Sequence, residues 1–133
     1  MGAFWSDTAI AALISTQHED QPLDCVLVDE AQFLTDDHVW QLAHVVDTLN
    51  IPVMCYGLRT DFQGNMFPGS ARLLAIADNI REIRTICHCG RKATMVVRQD
   101  ASGKVVLAGD QIEIGGNDKY VSLCRAHWKE AVG

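Results

Sequence analysis

The stretch Leu23-Asp24-Cys25-Val26-Leu27-Val28-Asp29-Glu30 decides the fold. Its short apolar run stops at two carboxylates, the form of a strand buried on both faces of a parallel sheet. Downstream, Thr35 stands where it can cap a helix over residues 36–49, with Val39, Leu42, Val45, Val46 and Leu49 on one side. Asn50 and Pro52 punctuate the end of that helix, and Ile51 to Tyr56 is a second apolar strand closed by Gly57. Strand, helix and strand with short connections predict a right-handed parallel crossover.

Working outward, residues 3–16 predict a helix carrying Phe4, Ile10, Leu13 and Ile14, followed by a polar connection from Gln17 to Pro22. Residues 57–69 predict a long loop with Gly57, Gly64 and Gly69, and a helix follows at about 70–79. Ile83 to Ile86 is a strand, and Ala93 to Arg98 alternates like an antiparallel one. Ser102-Gly103 marks a turn, Val105 to Gly116 is a weaker extended segment or loop, and Ala126 to Val132 a short final helix. The expected fold class is α/β, with an α/β part over residues 1–83 and a small β part over 84–133 that holds three of the five cysteines.

Cys87 and Cys89 in Cys-His-Cys-Gly, then Cys124 and His127 in Cys-Arg-Ala-His, read as two knuckles of one zinc site. Three thiolates and an imidazole satisfy tetrahedral zinc, and four protein ligands make the site structural. Gly90 suits the turn that aims backbone amides at the sulfurs. The rivals are buried cysteines and disulfides. Cys87 and Cys89 are too close to pair comfortably, and the five cysteines are an odd number. With no signal peptide or long apolar run, a reducing cytoplasm is the expected location, without membrane contact. Cys25 and Cys55 read as small core residues, His38 and His44 as surface residues, and His88 as facing solvent rather than metal.

The formal net charge of −6 over 133 residues argues against broad nucleic-acid binding. The late basic residues Arg81, Arg84, Arg91, Lys92 and Arg98 read as a solvated face beside the first knuckle, with contact to phosphate as the alternative.

In an open parallel sheet, ligands bind beyond the carboxyl ends of the strands. Asp29-Glu30-Ala31-Gln32-Phe33 and Gly57-Leu58-Arg59-Thr60-Asp61-Phe62 lie there. An apolar run ending in Asp-Glu has the form of a Walker B segment, whose aspartate holds magnesium while the glutamate takes a proton from a hydroxyl. The alternative is a cluster of acids at a helix start. No Gly-x4-Gly-Lys-Ser/Thr loop occurs in these residues, and Gly103-Lys104 is followed by valine.

Val-Leu-Val-Asp-Glu-Ala-Gln-Phe at 26–33, Tyr-Gly-Leu-Arg-Thr-Asp-Phe at 56–62, Ile-Cys-His-Cys-Gly-Arg-Lys-Ala at 86–93 and Ile-Gly-Gly-Asn-Asp-Lys-Tyr-Val-Ser-Leu-Cys-Arg-Ala-His at 114–127 carry a family resemblance. Together they resemble the zinc-containing, type II thymidine kinases of the bacterial, cellular and poxvirus type, and the Cys-x-Cys knuckle resembles the enterobacterial branch. The resemblance implies a P-loop-kinase-like parallel sheet with a zinc-ribbon-like β subdomain. It implies phosphoryl transfer from ATP to the 5′-hydroxyl of thymidine, with Mg2+, in deoxythymidine salvage for DNA synthesis.

Asp29 would be the Walker B acid and Glu30 the general base, with Asp29, Glu30, Ala31 and Gln32 at the ATP and Mg2+ site. Phe33, Leu58, Phe62 and Phe67 would line the thymine pocket, although Phe33 and Leu58 also suit a core. Gln111, Ile112, Glu113, Ile114 and Gly115 would follow the base through backbone groups, and Tyr120 would close that loop. A homo-oligomer, a tetramer in the relatives, is implied. The family's phosphate loop precedes these motifs, so Met1-Gly2-Ala3-Phe4 is expected to be an internal start, a split gene or a truncation. The chain as it stands is expected to be inactive and to expose apolar sheet edges. The alternative is a non-catalytic zinc-ribbon fragment that keeps nucleoside binding.

Overall fold

The computed structural model describes residues 9–111 and 118–133. They fall into two compact units, Met1–Arg59 with Pro68–Ala77, and Thr60–Phe67 with Asp78–Gly133. The fold is α/β.

In the first unit, α1 (Ile10–Asp20) and α2 (Asp36–Leu49) pack together, and β1 (Val26–Val28) pairs in parallel with β2 (Val53–Cys55). A short 3-10 helix, Ala31–Phe33, follows β1, and α3 is Pro68–Ile76. The core gathers Ile10, Ile14, Val28, Ala31, Leu34, Val39, Leu42, Val45 and Ile51. The expected helix 36–49 and its Thr35 cap are both present. The first helix ends later than expected, since α1 continues to Asp20 through residues assigned to a polar connection. Gln17 and His18 take part in its last turn, and His18 Nδ1 accepts from Leu23 N at 2.9 Å. Phe4 lies outside the described residues.

Three expectations about burial are corrected. The strands are not buried on both faces: Leu27 is 67% exposed and Met54 48%. Successive strand residues point to opposite sides, and Val26 and Val28 are those that reach the core. Cys25 shares the outward face of Leu27 and is exposed, so it is no core residue. Cys55 is half-buried, and burial pushes its thiol up to about 11. His38 is the third correction, being only 2% exposed. It completes a capping box in the place where glutamate or glutamine is usual. His38 N donates to Thr35 Oγ1 and Thr35 N donates to His38 Nδ1, each at 3.1 Å. His44 is exposed as expected.

The second unit is antiparallel. β3 (Thr85–Ile86) pairs with β4 (Lys92–Ala93), and β5 (Met95–Gln99) lies between β6 (Val105–Val106) and β7 (Lys119–Leu123). The chain ends in α4 (Arg125–Val132), which Trp128 ties to β5 through Nε1–H donated to Val96 O at 2.9 Å. One buried cluster here is Cys87, Val97, Leu123 and Cys124, and Phe62, Phe67 and Val96 are buried as well. No described helix is long and apolar enough to cross a membrane.

Candidate functional site

The acidic turn is built where the two parallel strands end. Tyr56 N donates to Val28 O at 2.9 Å, and Ala31 N donates back to Tyr56 O at 2.8 Å. Asp29 and Glu30 between them are pushed outward and exposed. Glu30 sits in the left-handed region (φ 51°, ψ 41°), and its N–H donates to Asp29 Oδ1 at 2.9 Å. A non-glycine residue held there costs about 1 kcal/mol, and such outliers cluster at functional sites.

Gln32, 3% exposed, holds the turn from beneath. Its amide Nε2 donates to Glu30 Oε2, while its Oε1 accepts from Leu58 N at 3.2 Å. Leu58 O accepts from Ser70 Oγ, so α3 joins the same network. The arrangement needs a residue without a side chain at Gly57, where a Cβ would lie 2.6 Å from Gln32 Oε1 and 2.9 Å from Gln32 N. Gly57→Ala is expected to cost about 1–3 kcal/mol through overpacking. Thermal melts check this, and an unchanged midpoint would remove the close approach as a constraint.

Phe33 and Leu58 are exposed, so neither serves as core. Two exposed carboxylates on one turn are hard oxygen donors that fit Mg2+, which takes one or two protein carboxylates plus phosphate oxygens.

In the second unit, Phe62 and Phe67 are buried and Tyr120 on β7 is 52% exposed. Gln111 Nε2 donates to Asp61 Oδ2 at 2.9 Å. The other oxygen of the buried Asp61 accepts from Gln63 N and Asn65 N, both at 2.9 Å. Ile112, Glu113, Ile114 and Gly115 lie outside the described residues.

Arg98 corrects the expectation of a solvated basic face. It is 5% exposed, and its Nε donates to Asp118 Oδ2 at 2.6 Å. Sequence reasoning placed Arg98 on a solvated face and gave Asp61 and Asp118 no role of their own. Nothing in the local pattern marks them, because their partners lie on other segments.

The four zinc candidates converge, with ligand atoms within 4.8 Å of one another. Cys87 Sγ and Cys124 Sγ each lie 3.4 Å from His127 Nδ1, and Cys89 Sγ lies 3.9 Å from Cys124 Sγ. Tetrahedral zinc with ordinary bond lengths sets its ligands about 3.8 Å apart for sulfur pairs and about 3.5 Å for sulfur–nitrogen. These three separations match zinc, and the Cys3His set could hold it with four protein ligands and no open position.

The first knuckle turns on a bond from Gly90 N to Cys87 O at 2.8 Å, with Gly90 at φ 88°. Burial raises the Cys87 thiol, but hydrogen bonds from the Cys89 and Cys124 backbone and the His127 and Cys89 side chains outweigh it and hold Cys87 at about 6. Cys89 is lowered by the Arg91 backbone, yet burial and the neighbouring sulfurs leave it raised. Crowded sulfurs resist a second negative charge, a conflict that a bound dication relieves. All five cysteines are free of disulfides. His88 is exposed and rests its ring 4.4 Å from that of His127.

A thymidine kinase family model matches residues 1–128. A thymidine kinase of Agrobacterium fabrum is 65% identical over 127 residues, covering 96% of this chain and 66% of the relative. One of Idiomarina loihiensis is 60% identical, covering 98% of this chain and 68% of the relative. One of Ruegeria pomeroyi is 63% identical, covering 93% and 63%. The chain thus spans about two thirds of the length of these curated relatives. With its acidic turn, its Cys3His cluster and these matches, the chain belongs to the thymidine kinase family.

Proposed function

We propose that these residues serve phosphoryl transfer from ATP to the 5′-hydroxyl of thymidine. The observation that carries the reading is the Asp29-Glu30 turn, projected from the ends of the parallel strands and braced by buried Gln32. Asp29 and Glu30 would hold Mg2+, which neutralises phosphate charge when bound. Glu30 accepts the proton of the attacking hydroxyl. Phosphoryl transfer has a loose transition state, so the base mainly positions the nucleophile and removes its proton late. Ala31 and Gln32 complete the nucleotide-side turn.

Thymine contact is assigned to Phe33 and Leu58 in the first unit and to Phe62, Phe67, Gln111 and Tyr120 in the second, with Ile112, Glu113, Ile114 and Gly115 running along the base. Flat apolar walls suit a pyrimidine, and backbone groups supply its hydrogen bonds. Residues 1–83 would form the kinase core and supply Phe33, Leu58, Phe62 and Phe67 to the thymine, while 84–133 would supply the zinc-held loop that follows the base, with zinc structural. A reducing cytoplasm suits the free thiols, and assembly as a homo-oligomer, a tetramer by resemblance, belongs to the same proposal.

Calorimetry of the zinc-loaded chain tests the reading. Thymidine is expected to bind with a single site per chain, and purine nucleosides are expected to be rejected. Absence of thymidine binding, or equal binding of a purine nucleoside, would overturn it.

A further inference from the structure

Arg98 is a buried cation that the chemistry above does not use. Its Nε donates to Asp118 Oδ2 at 2.6 Å, and its NH1 group donates to Asp110 O at 3.3 Å. Its guanidinium carbon lies 5.2 Å from the centre of the Phe62 ring, within cation–π range. Asp118 is also largely withdrawn from water, with its side chain 20% exposed. One side chain on β5 therefore joins the Phe62 segment to the described residues on both sides of 112–117. A parallel tie runs beside it, since Asp61 precedes Phe62 and holds Gln111.

Stability alone is a weak reason for this cation. A well-packed apolar side chain in place of a buried ion pair is often neutral or stabilising. What a guanidinium adds is geometry: two donors in a rigid fork, with a flat face left for an aromatic ring. Lysine has the charge but not the fork. An apolar residue could fill the volume, but it could not fix Asp110 and Asp118 at one spacing.

We propose that Arg98 is a positioning residue for the nucleoside: by clamping Asp110, Asp118 and Phe62 together, it presets Phe62 and Gln111 for thymidine. The inference rests on the thymidine reading of the preceding subsection. Preordering lowers the cost of binding, because ordering is completed before the ligand arrives. Arg98 acts through its neighbours and has no part in proton or phosphoryl transfer.

The test uses the zinc-loaded 133-residue chain and two variants, Arg98→Lys and Arg98→Met. Hydrogen exchange at the Gln111, Asp118 and Lys119 amides is measured without ligand, and thymidine affinity by calorimetry. Zinc content and far-ultraviolet circular dichroism show whether each variant has folded. Arg98→Lys, which keeps the charge, is the variant expected to remain folded and zinc-loaded. Its exchange at those amides should accelerate, and its thymidine Kd should rise by roughly tenfold, the loss of one charge-assisted hydrogen bond. Arg98→Met should show a larger change in both.

Unchanged exchange in folded Arg98→Lys overturns the clamp. Faster exchange with an unchanged Kd overturns the positioning role and leaves Arg98 structural. A wild-type chain that does not bind thymidine overturns the proposed function, and with it the positioning role, while exchange alone then decides the clamp.

Discussion

Cys124→Ser is expected to release zinc and to unfold the second unit while α1 and α2 persist. Cys124 stands where three supports meet. It is buried, it is the N-cap residue of α4, and its sulfur lies 3.4 Å from His127 Nδ1 and 3.9 Å from Cys89 Sγ. Two of the four residues in the buried cluster beside this site, Cys87 and Cys124, are themselves candidate ligands. The strands around them are short, and β3, β4 and β6 have two residues each.

So little apolar burial cannot offset the ordering of this unit, whereas a structural zinc contributes about 10–16 kcal/mol to such folds. Serine keeps the size of the residue but offers a hydroxyl that stays protonated at neutral pH, so the loss is chemical rather than steric. Zinc per chain by atomic absorption should fall from near one toward zero. The near-ultraviolet signal of Trp128 should collapse, and cleavage by protease within residues 99–111 should rise. A variant that keeps its zinc and resists protease as wild type does would leave the metal without a structural role.

The convergence of Cys87, Cys89, Cys124 and His127 was legible because its signal is local. Close spacing within each knuckle brings two donors to one point, and a tetrahedron needs only two such knuckles. Helix α2 was legible for a similar reason, since its cap and its apolar stripe lie within one stretch. The acidic turn was legible as a motif but not as a mechanism. Its brace depends on Gln32 meeting Leu58, 26 residues away.

Arg98 was misread because charge in a sequence predicts exposure, and the exception depends on a partner. That partner, Asp118, reaches it only through the antiparallel register of β5 and β7, which sets Arg98 opposite Tyr120. His38 was misread because histidine in an amphipathic helix looks like a surface residue. Its spacing from Thr35 matched a capping box all the same, with an imidazole doing the work of a carboxylate. Cys25 was assigned to the core by its apolar neighbours, although its parity with Leu27 placed it on the outer face.

Glu30→Gln is expected to abolish turnover and spare thymidine binding. The proper background for the rate is a polypeptide of the relatives' full length carrying these residues, and for binding the 133-residue chain. Glutamine has the same size and can still accept a hydrogen bond from Gln32 at the oxygen that takes Glu30's place, so the turn and its left-handed backbone should survive. What it cannot do is accept a proton. Removing a general base costs about 10²–10⁴ in rate, and kcat should fall by that factor while the thymidine Kd stays near wild type.

Thermal melts separate this from a structural effect, since Glu30→Gln should melt as wild type does. Glu30→Gly supplies the complementary control, because it removes the carboxylate while relieving the left-handed strain, worth about 1 kcal/mol. Because it also leaves the buried Gln32 Nε2 without its acceptor, it should melt near wild type rather than above it and still be inactive, which uncouples stability from activity at this position. A retained rate in Glu30→Gln would remove Glu30 as the base and leave it as the brace of Asp29, since Gln32 holds the turn through that same side chain.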